Sequence, residues 1–401
     1  MNILLSLVFL VLIAFLGSIL FQRHPVKNNY VKSIVYSGNL YILLGIAIGP
    51  HILDLINDAT IDKLNVLFTL VLGWAGFLIG LQSSFKNLKR FRQIYYYFAT
   101  SNFIIAFCLS SALLVLLFPL IQIGLNNIEI IILAIASAVT SPIMLGVYLR
   151  DHRVHGKISH LLQFVSAFDN ILGIIILGII MTSVSDLILY TGESTGILII
   201  IIPVLLGGIA SLFYYILTKE FNKKQEQFLL IISLLIFIIG IAFYLKQSVL
   251  FTAFLFGFGL CNLPINTKKL YLNIQQIEKP LYILLLIFVG MSINSISFNY
   301  IIFLILFLII HVMVILISGF LANNIIRNKL EITNSIGLAN LGMGGLSLAI
   351  ILDFHLTNPS EFSNLLLFIL SVSIIINDLV SYRFFEKLFS HKKIQLEIKS
   401  D

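Results

Sequence analysis

The chain has 401 residues, of which 59% are apolar and only 11% are charged, and its mean hydropathy is +1.05. A soluble domain carries about 25% charged residues, so a large core cannot explain this deficit. The composition indicates a polytopic membrane protein and argues against a cytosolic enzyme. At about 20 residues per helical span, the length accommodates roughly a dozen transmembrane helices and no large soluble domain. The two cysteines, Cys108 and Cys261, lie in apolar runs and indicate neither a disulfide framework nor a metal cluster.

Thirteen apolar runs, bounded by Pro, Gly, Asn and charge clusters, predict an all-α polytopic membrane protein. The first run lacks a preceding basic segment and a small-residue cleavage site, so we expect a span rather than a cleaved signal peptide. The predicted spans lie near residues 2–21, 33–53, 64–83, 94–118, 128–149, 161–183, 194–217, 228–245, 247–263, 280–294, 298–323, 332–352 and 361–385.

The Lys and Arg residues test this number of spans, because cytoplasmic loops of membrane proteins are enriched in them. Thirteen spans place the termini on opposite sides, and 23 of the 25 basic residues then fall on the side of the C-terminus. Only Lys63 and Lys246 fall on the other side. We therefore expect the C-terminus in the cytoplasm and the N-terminus outside, in a cell or inner membrane. The net charge of +7 is then a topology signal, which predicts a lipid bilayer and no nucleic acid as the partner.

The 18 carboxylates sort by position in the same way. Sixteen of them, including Asp353, are expected in loops or at helix ends, and only Asp169 and Asp378 lie within predicted spans. Asp169 is eight residues into the sixth span, roughly 12 Å from its cytoplasmic end and close to the midplane. A carboxylate at that depth costs several kcal/mol unless it is hydrated, paired or protonated, so it predicts a proton or cation pathway. The alternative is a structural acid that hydrogen-bonds two helices.

Two further residues are candidates for an auxiliary role. Asp378 lies in the last span, seven residues from its predicted end, and has no sequence neighbour as suggestive as Asn170, which follows Asp169. We therefore expect Asp378 to matter less than Asp169. His311 is the only histidine deep in a span, and it is either a neutral hydrogen-bonding residue or a proton carrier.

The fifth and twelfth spans contain helix-breaking residues near their middles. The fifth contains Thr140, Ser141 and Pro142, and the twelfth contains Asn340 followed by three glycines within residues 341–345. Proline removes a backbone donor, and glycine allows the helix to unwind. Each break alone is compatible with an ordinary kink. Two broken helices seven spans apart, each followed by a span with a buried Asp, predict an inverted repeat with an ion site at the midplane.

Five segments along the chain resemble the monovalent cation:proton antiporters, in particular the second branch that includes the Kef-type and NapA-like sodium/proton exchangers. The order and spacing of the segments carry this resemblance, which covers the chain from the second span to the last. The segments are LGIAIGP at 44–50, GWAGFLIGL at 73–81, SAFDNILG at 166–173, AFLFG at 253–257, and PLY at 280–282 with VGM at 289–291.

The resemblance implies a homodimeric antiporter with two crossed broken helices. It implies a core, at about residues 94–183 and 298–385, that moves like an elevator against a scaffold of the remaining helices, which would form the dimer. It places Asp169, Asn170, Thr140 and Ser141 at the ion site. The whole chain, 1–401, would be one transporter unit without the nucleotide-binding regulatory domain of full-length Kef systems.

The sequence departs from the family pattern at two positions. Family members carry Asp-Asp or Asn-Asp with the essential carboxylate second, whereas here Asp169 precedes Asn170. Electrogenic members have a lysine in the eleventh span, and this span contains His311 but no lysine.

The sequence therefore predicts a secondary transporter that exchanges Na⁺ or K⁺ for H⁺, with no cofactor and no enzymatic activity. Asp169 would bind either the proton or the monovalent cation, and Asn170, Thr140 and Ser141 would supply neutral oxygens. Asp378, His311 and Asn340 remain candidate auxiliary residues. Two alternatives stay open: a sodium-coupled carrier of an organic solute on the same fold, and a non-transporting receptor or scaffold subunit.

Overall fold

The structure is a computed structural model, and it describes residues 3–23, 37–117, 126–152, 156–184, 196–219, 224–264, 267–293, 298–326 and 334–389. The regular elements within these ranges are all helical, and a 3₁₀ helix, Asn334–Asn340, lies between α13 and α14. The α-helices are α1 (Ile3–Arg23), α2 (Asn39–Ile48), α3 (Asp58–Gln82), α4 (Phe85–Leu88), α5 (Gln93–Leu117), α6 (Asn127–Ala138), α7 (Pro142–Asp151), α8 (Lys157–Val184), α9 (Gly196–Leu217), α10 (Lys224–Tyr244), α11 (Val249–Asn262), α12 (Thr267–Met291), α13 (Phe298–Ile325), α14 (Gly345–Thr357) and α15 (Glu361–Phe389).

Each of the thirteen predicted spans corresponds to helical structure, and the all-α membrane fold is confirmed. Among the described residues, seven helices are long and apolar enough to cross a membrane, namely α3, α5, α8, α9, α10, α13 and α15. Five further apolar helices are shorter, and they include α6 and α14, which belong to the two broken spans. The breaks therefore account for two of the six predicted spans that length alone does not find.

The helix of the twelfth predicted span ends later than the sequence indicated, and this changes the location of one acid. Helix α14 continues to Thr357, so Asp353 lies inside it and is only 1% exposed. The expectation that Asp353 lies outside the twelfth span, in an outer loop or at an outer helix end, was therefore wrong. Helix α15 continues to Phe389, but its apolar span, Glu361–Phe385, has the predicted bounds, and Asp378 within it is buried. The error has a physical origin, because a charged residue ordinarily marks the edge of a span and here it is satisfied by distant partners.

The helices pack into two groups, with most close contacts inside each group rather than between them. The flanking group consists of α1, α2, α3, α9, α10, α11 and α12. The crossing group consists of α5, α6, α7, α8, α13, the 3₁₀ helix, α14 and α15. The crossing group contains both broken spans and both of the acids that the sequence placed inside the membrane.

Close helix contacts in the flanking group require glycine. A Cβ atom on Gly76 of α3 would lie 2.2 Å from the Leu250 carbonyl oxygen of α11, and one on Gly45 of α2 would lie 2.1 Å from the Ile287 carbonyl oxygen of α12. Small residues allow membrane helices to approach closely and gain van der Waals contact. The facing helices contribute Gly257 and Gly290 to the same contacts. The glycine-containing segments of the sequence therefore specify the α3/α11 and α2/α12 pairs.

We expect Gly76→Ala to lower the free energy of unfolding by about 1–3 kcal/mol, because the added methyl group meets a backbone carbonyl that cannot rotate away. Gly240→Ala on α10 is the matched control, since a Cβ there meets no atom within 4 Å. Thermal unfolding of both variants in detergent measures the difference. Equal melting temperatures for the two variants would contradict the close packing of α3 on α11.

Candidate functional site

The two broken spans meet at their breaks. Helix α6 ends at Ala138 and α7 begins at Pro142, while the 3₁₀ helix ends at Asn340 and α14 begins at Gly345. The Ser141 backbone N–H donates a hydrogen bond to the Gly342 carbonyl oxygen at 2.8 Å. Backbone polar groups at membrane depth must find partners inside the protein. Each break thus supplies part of the hydrogen bonding that the other has lost.

Glycine allows the two breaks to approach this closely. A Cβ atom on Gly344 would lie 3.0 Å from the Ser141 Cβ and Oγ atoms. A Cβ atom on Gly342 would lie 3.4 Å from the Asp378 Oδ1 atom. The glycines of the twelfth span therefore serve to pack the second break against Ser141 and Asp378, in addition to unwinding the helix.

Asp169, on α8, lies beside the first break and is completely buried. Its Oδ2 atom accepts a hydrogen bond from the Thr140 hydroxyl at 3.2 Å, and the same hydroxyl lies 3.4 Å from the Ser166 Oγ atom. Within the described part of the chain, the Asp169 Oδ1 atom and the Asn170 Oδ1 atom have no hydrogen-bond partner. Two buried oxygens, on residues that are adjacent in sequence, are thus available to a proton or a cation.

A cavity of about 420 Å³ leads to this site, and we call it the vestibule. Gln82, Gln275 and Lys279 line one end of it and are exposed, while buried Thr140 and Ser141 line the other end together with Asn170. Lys279 belongs to the side of the membrane that the sequence predicts to carry most Lys and Arg residues, which we call the basic side. The vestibule therefore connects the basic side to the crossed breaks.

The vestibule reaches Asn170 but not Asp169. Asn170 is among its lining residues and Asp169 is not, although the two are neighbours on α8. The sequence predicted both residues at the site, but it did not indicate which of them faces the vestibule. The inner lining of the vestibule therefore includes the Asn170, Thr140 and Ser141 positions but not the Asp169 carboxylate.

Asp378 has a polar partner that the sequence did not reveal. The Asn39 Nδ2 atom, at the start of α2, donates a hydrogen bond to the Asp378 Oδ2 atom at 3.0 Å. The expectation that Asp378 lacks a suggestive polar partner was wrong, because Asn39 is 339 residues away in the chain. The bond joins the flanking group to the crossing group, beside Gly342.

His311 and Asn340 both lie at the second break. The His311 Nε2 atom is 3.3 Å from the Leu341 carbonyl oxygen, while its Nδ1 atom and the Asn340 Nδ2 atom have no hydrogen-bond partner among the described residues. An Nε2–H tautomer of His311 satisfies a carbonyl that the unwound backbone leaves open. This geometry favours the hydrogen-bonding role for His311 over the proton-carrying one.

The donor set of the site suits small hard cations and protons. It combines one carboxylate with hydroxyl and amide oxygens, and it contains no sulfur. Oxygen ligands of this kind bind hard cations. Among the described residues, no group of three or more His, Cys, Asp or Glu is placed to hold a metal ion.

Comparison with solved structures shows what the fold resembles. The sodium proton antiporter MjNhaP1 from Methanocaldococcus jannaschii, at pH 8, matches with a TM-score of 0.68 and 16% identity, over 100% of this chain and 99% of the other. An electron-microscopy map of the same antiporter gives a TM-score of 0.64 at 16% identity, with the same coverage. At this level of identity the likeness establishes the antiporter fold.

Comparison with sequences identifies the family. A search of curated protein sequences gives no match. The family described as "Sodium/hydrogen exchanger, transmembrane" matches residues 11–382, which is nearly the whole chain. Its members are membrane transporters rather than enzymes. The chain belongs to the sodium/hydrogen exchanger family.

Proposed function

We propose that this protein exchanges a monovalent cation, Na⁺ or K⁺, for protons by alternating access, and that both ions compete for Asp169. The observation that carries this proposal is the placement of Asp169. It is completely buried, it has one oxygen bonded to Thr140 and, within the described residues, one without a partner, and it adjoins the closed end of the vestibule. A carboxylate at this depth is costly, and in membrane proteins such residues mark ion and proton pathways.

Coupling follows from the chemistry of a single carboxylate. Asp169 can carry a proton or pair with a cation, but one excludes the other. When a cation is bound, the Thr140 and Ser141 hydroxyls and the Asn170 amide oxygen would complete its oxygen shell, much as neutral oxygens replace the hydration shell in ion channels. Because the Asn170 oxygen has no other partner in the described structure, it is free to take this role.

The position of Asn170 gives the order of contacts during entry. Asn170 lines the vestibule while Asp169 lies behind it, so a cation from the basic side would first exchange water for the Asn170 amide oxygen. It would then move to Asp169 as the proton leaves. The Asp-Asn order would thus place a neutral ligand where other family members carry the essential carboxylate.

The two helix groups would provide the moving parts. The crossing group holds the site and has few contacts with the flanking group, which supports a core at about residues 94–183 and 298–385 that moves against a scaffold of the other helices. The scaffold would form a homodimer. We also propose that the basic side is cytoplasmic, in a cell or inner membrane, with the N-terminus outside.

The SAFDNILG segment at 166–173 supports assignment to the second branch of the antiporters, with the Kef-type and NapA-like exchangers. This segment forms part of α8 at the first break. Its Asp169-Asn170 pair resembles the Asp-Asp pair of that branch with the second acid replaced by its amide.

One observation favours a second candidate, a sodium-coupled carrier of an organic solute. The vestibule volume of about 420 Å³ lies within the range of small-molecule sites, about 300–1,000 Å³. Against it, the inner end of the vestibule at Thr140, Ser141 and Asn170 presents no charged side chain to anchor a solute. Proteoliposomes with an internal pH dye separate the candidates. Proton efflux driven by an alkali cation alone supports exchange, and its absence for Na⁺, K⁺ and Li⁺ would overturn it.

We expect Asp169→Asn to abolish cation-dependent proton flux, because the amide can neither lose a proton nor pair with a cation. Asp169→Glu should retain part of the activity, since the charge survives at a different reach. Asp378→Asn is the matched control and should reduce exchange less. Initial rates in proteoliposomes, with folding checked by size-exclusion chromatography, measure all three. An active Asp169→Asn variant beside an inactive Asp378→Asn variant would exchange the two roles.

We expect Thr140→Val to raise the cation concentration for half-maximal exchange about tenfold or more, since a hydrogen bond to a charged group is worth about 1.5–3 kcal/mol. Thr140→Ser keeps the hydroxyl and should stay close to the parent protein. The dependence of initial proton flux on Na⁺ or K⁺ concentration measures the effect. Equal half-saturation values for the Val and Ser variants would remove Thr140 from the site.

We expect the exchange to be electroneutral. Helix α13 contains no lysine, and one carboxylate that trades one H⁺ for one monovalent cation carries the same net charge in both directions. A membrane potential contributes about 2.3 kcal/mol per net charge per 100 mV, and here the net charge is zero. Imposing a K⁺/valinomycin potential while Na⁺ drives exchange should leave the initial proton flux unchanged. Strong acceleration would show that another group carries charge, with His311 and Asp378 the first to replace.

A further inference from the structure

The vestibule ends at one face of α14, and a carboxylate continues that face. Gly345 and Ala349 of α14 line the vestibule. Residues four apart lie on the same face of a helix, so Asp353 is the next residue on this face, about 6 Å further along the axis. Asp353 lies toward the side of the membrane opposite the basic side, and it is only 1% exposed.

Asp353 joins the two helix groups at this point. Its Oδ2 atom accepts a short hydrogen bond from the Ser248 hydroxyl, and its Oδ1 atom accepts one from the Val249 backbone N–H at 3.1 Å. Ser248 and Val249 begin α11 of the flanking group, whereas Asp353 belongs to the crossing group. We call these contacts between Asp353, Ser248 and Val249 the seam.

An unsatisfied amide lies next to the seam. Gln247 directly precedes Ser248 and is 1% exposed, yet neither polar atom of its side chain has a hydrogen-bond partner among the described residues. Burial of an unpaired amide costs free energy, and such groups in native structures call for an explanation. Entry of water at this position would remove that cost.

We propose that the seam is the closed gate on the side opposite the basic side, and that Asp353 and Gln247 line the ion route when it opens. The inference rests on the proposed function, because a transporter with alternating access must open both sides in turn. In this structure the vestibule is open toward the basic side. Toward the opposite side, the contacts of the seam hold α14 against α11 and would close the route beyond the vestibule. Separation of α14 from α11 would expose the carboxylate and the amide to water together.

A crosslink across the seam tests this gate. Ser248→Cys and Asp353→Cys are combined in a Cys108→Ala/Cys261→Ala parent and purified under reducing conditions. Because Asp353→Cys removes a carboxylate from the proposed route, the reduced variant is its own reference: relative to its flux we expect a loss of at least tenfold after oxidation and recovery with reductant. If the reduced variant has no flux, the Gln247→Cys measurement below decides. The oxidised protein should still be stabilised thermally by the transported cation, because the vestibule stays open. Undiminished exchange in protein shown by gel shift to be crosslinked would overturn the gate.

A crosslink inside one helix group is the matched control. The Ser110 and Ser137 hydroxyls, on α5 and α6 of the crossing group, lie 3.0 Å apart. Ser110→Cys with Ser137→Cys in the same parent should be oxidised without loss of exchange. If the cysteine-free parent itself shows no flux with any alkali cation, the proposed function fails. If the parent and the crosslinked seam are both active, only the gate fails.

A second measurement decides the question if the seam pair does not fold. Gln247→Cys in the same parent keeps Asp353 and Ser248, and it is exposed to a membrane-impermeant thiol reagent from the side opposite the basic side. Labelling that accelerates several-fold during exchange, with Ser137→Cys unlabelled as a control for loosening of the fold, supports the gate. No labelling of an actively exchanging protein would overturn it.

Discussion

The hydrogen bond from the Ser141 N–H to the Gly342 carbonyl oxygen is the contact on which the site depends. An interrupted helix leaves backbone donors and acceptors at a depth where water cannot satisfy them. At these two breaks, the Ser141 donor and the Gly342 acceptor satisfy each other, so each break stabilises the other. Thr140, at the first break, donates the hydrogen bond that holds the Asp169 carboxylate. The vestibule ends where the two breaks meet.

Buried polar residues occupy specific positions around this crossing. His311 bonds the open Leu341 carbonyl, and Asn39 bonds Asp378 beside Gly342. These contacts come from opposite sides, one from the crossing group itself and one from the flanking group. The crossing is therefore supported from within, whereas its contacts with the flanking group, which are apolar packing and the Asn39–Asp378 bond, are fewer than the contacts inside each group. That distribution suits a site whose surroundings must rearrange without loss of the site itself.

The sequence predicted much of the fold because hydropathy, glycine spacing and Lys/Arg asymmetry are local or additive signals. The thirteen spans and the breaks at Thr140 and Asn340 were found this way. Pairing across long sequence separations was not predictable. The partner of Asp378 is 339 residues away, and that of Asp353 is 105 residues away. A single sequence identifies a costly charge but not the residue that satisfies it, so Asp353 was assigned to a helix end.

A single sequence also does not show which of two neighbouring residues, Asp169 or Asn170, faces the vestibule. Asp169 and Asn170 are adjacent on α8, and helical geometry turns them about 100° apart, but only packing decides that Asn170 lines the vestibule. For Asp353, packing likewise decides the position. Gly345 and Ala349 of α14 line the vestibule, and Asp353 is the next residue on the same face of this helix. The vestibule therefore runs from Lys279 at its exposed end to Asn170 between mostly apolar side chains, and Asp353 lies about one helical turn beyond Ala349 on the same face of α14. The two helix groups are separated by the vestibule between Lys279 and Asn170, and they are joined by two buried carboxylates, Asp378 at Asn39 and Asp353 at Ser248.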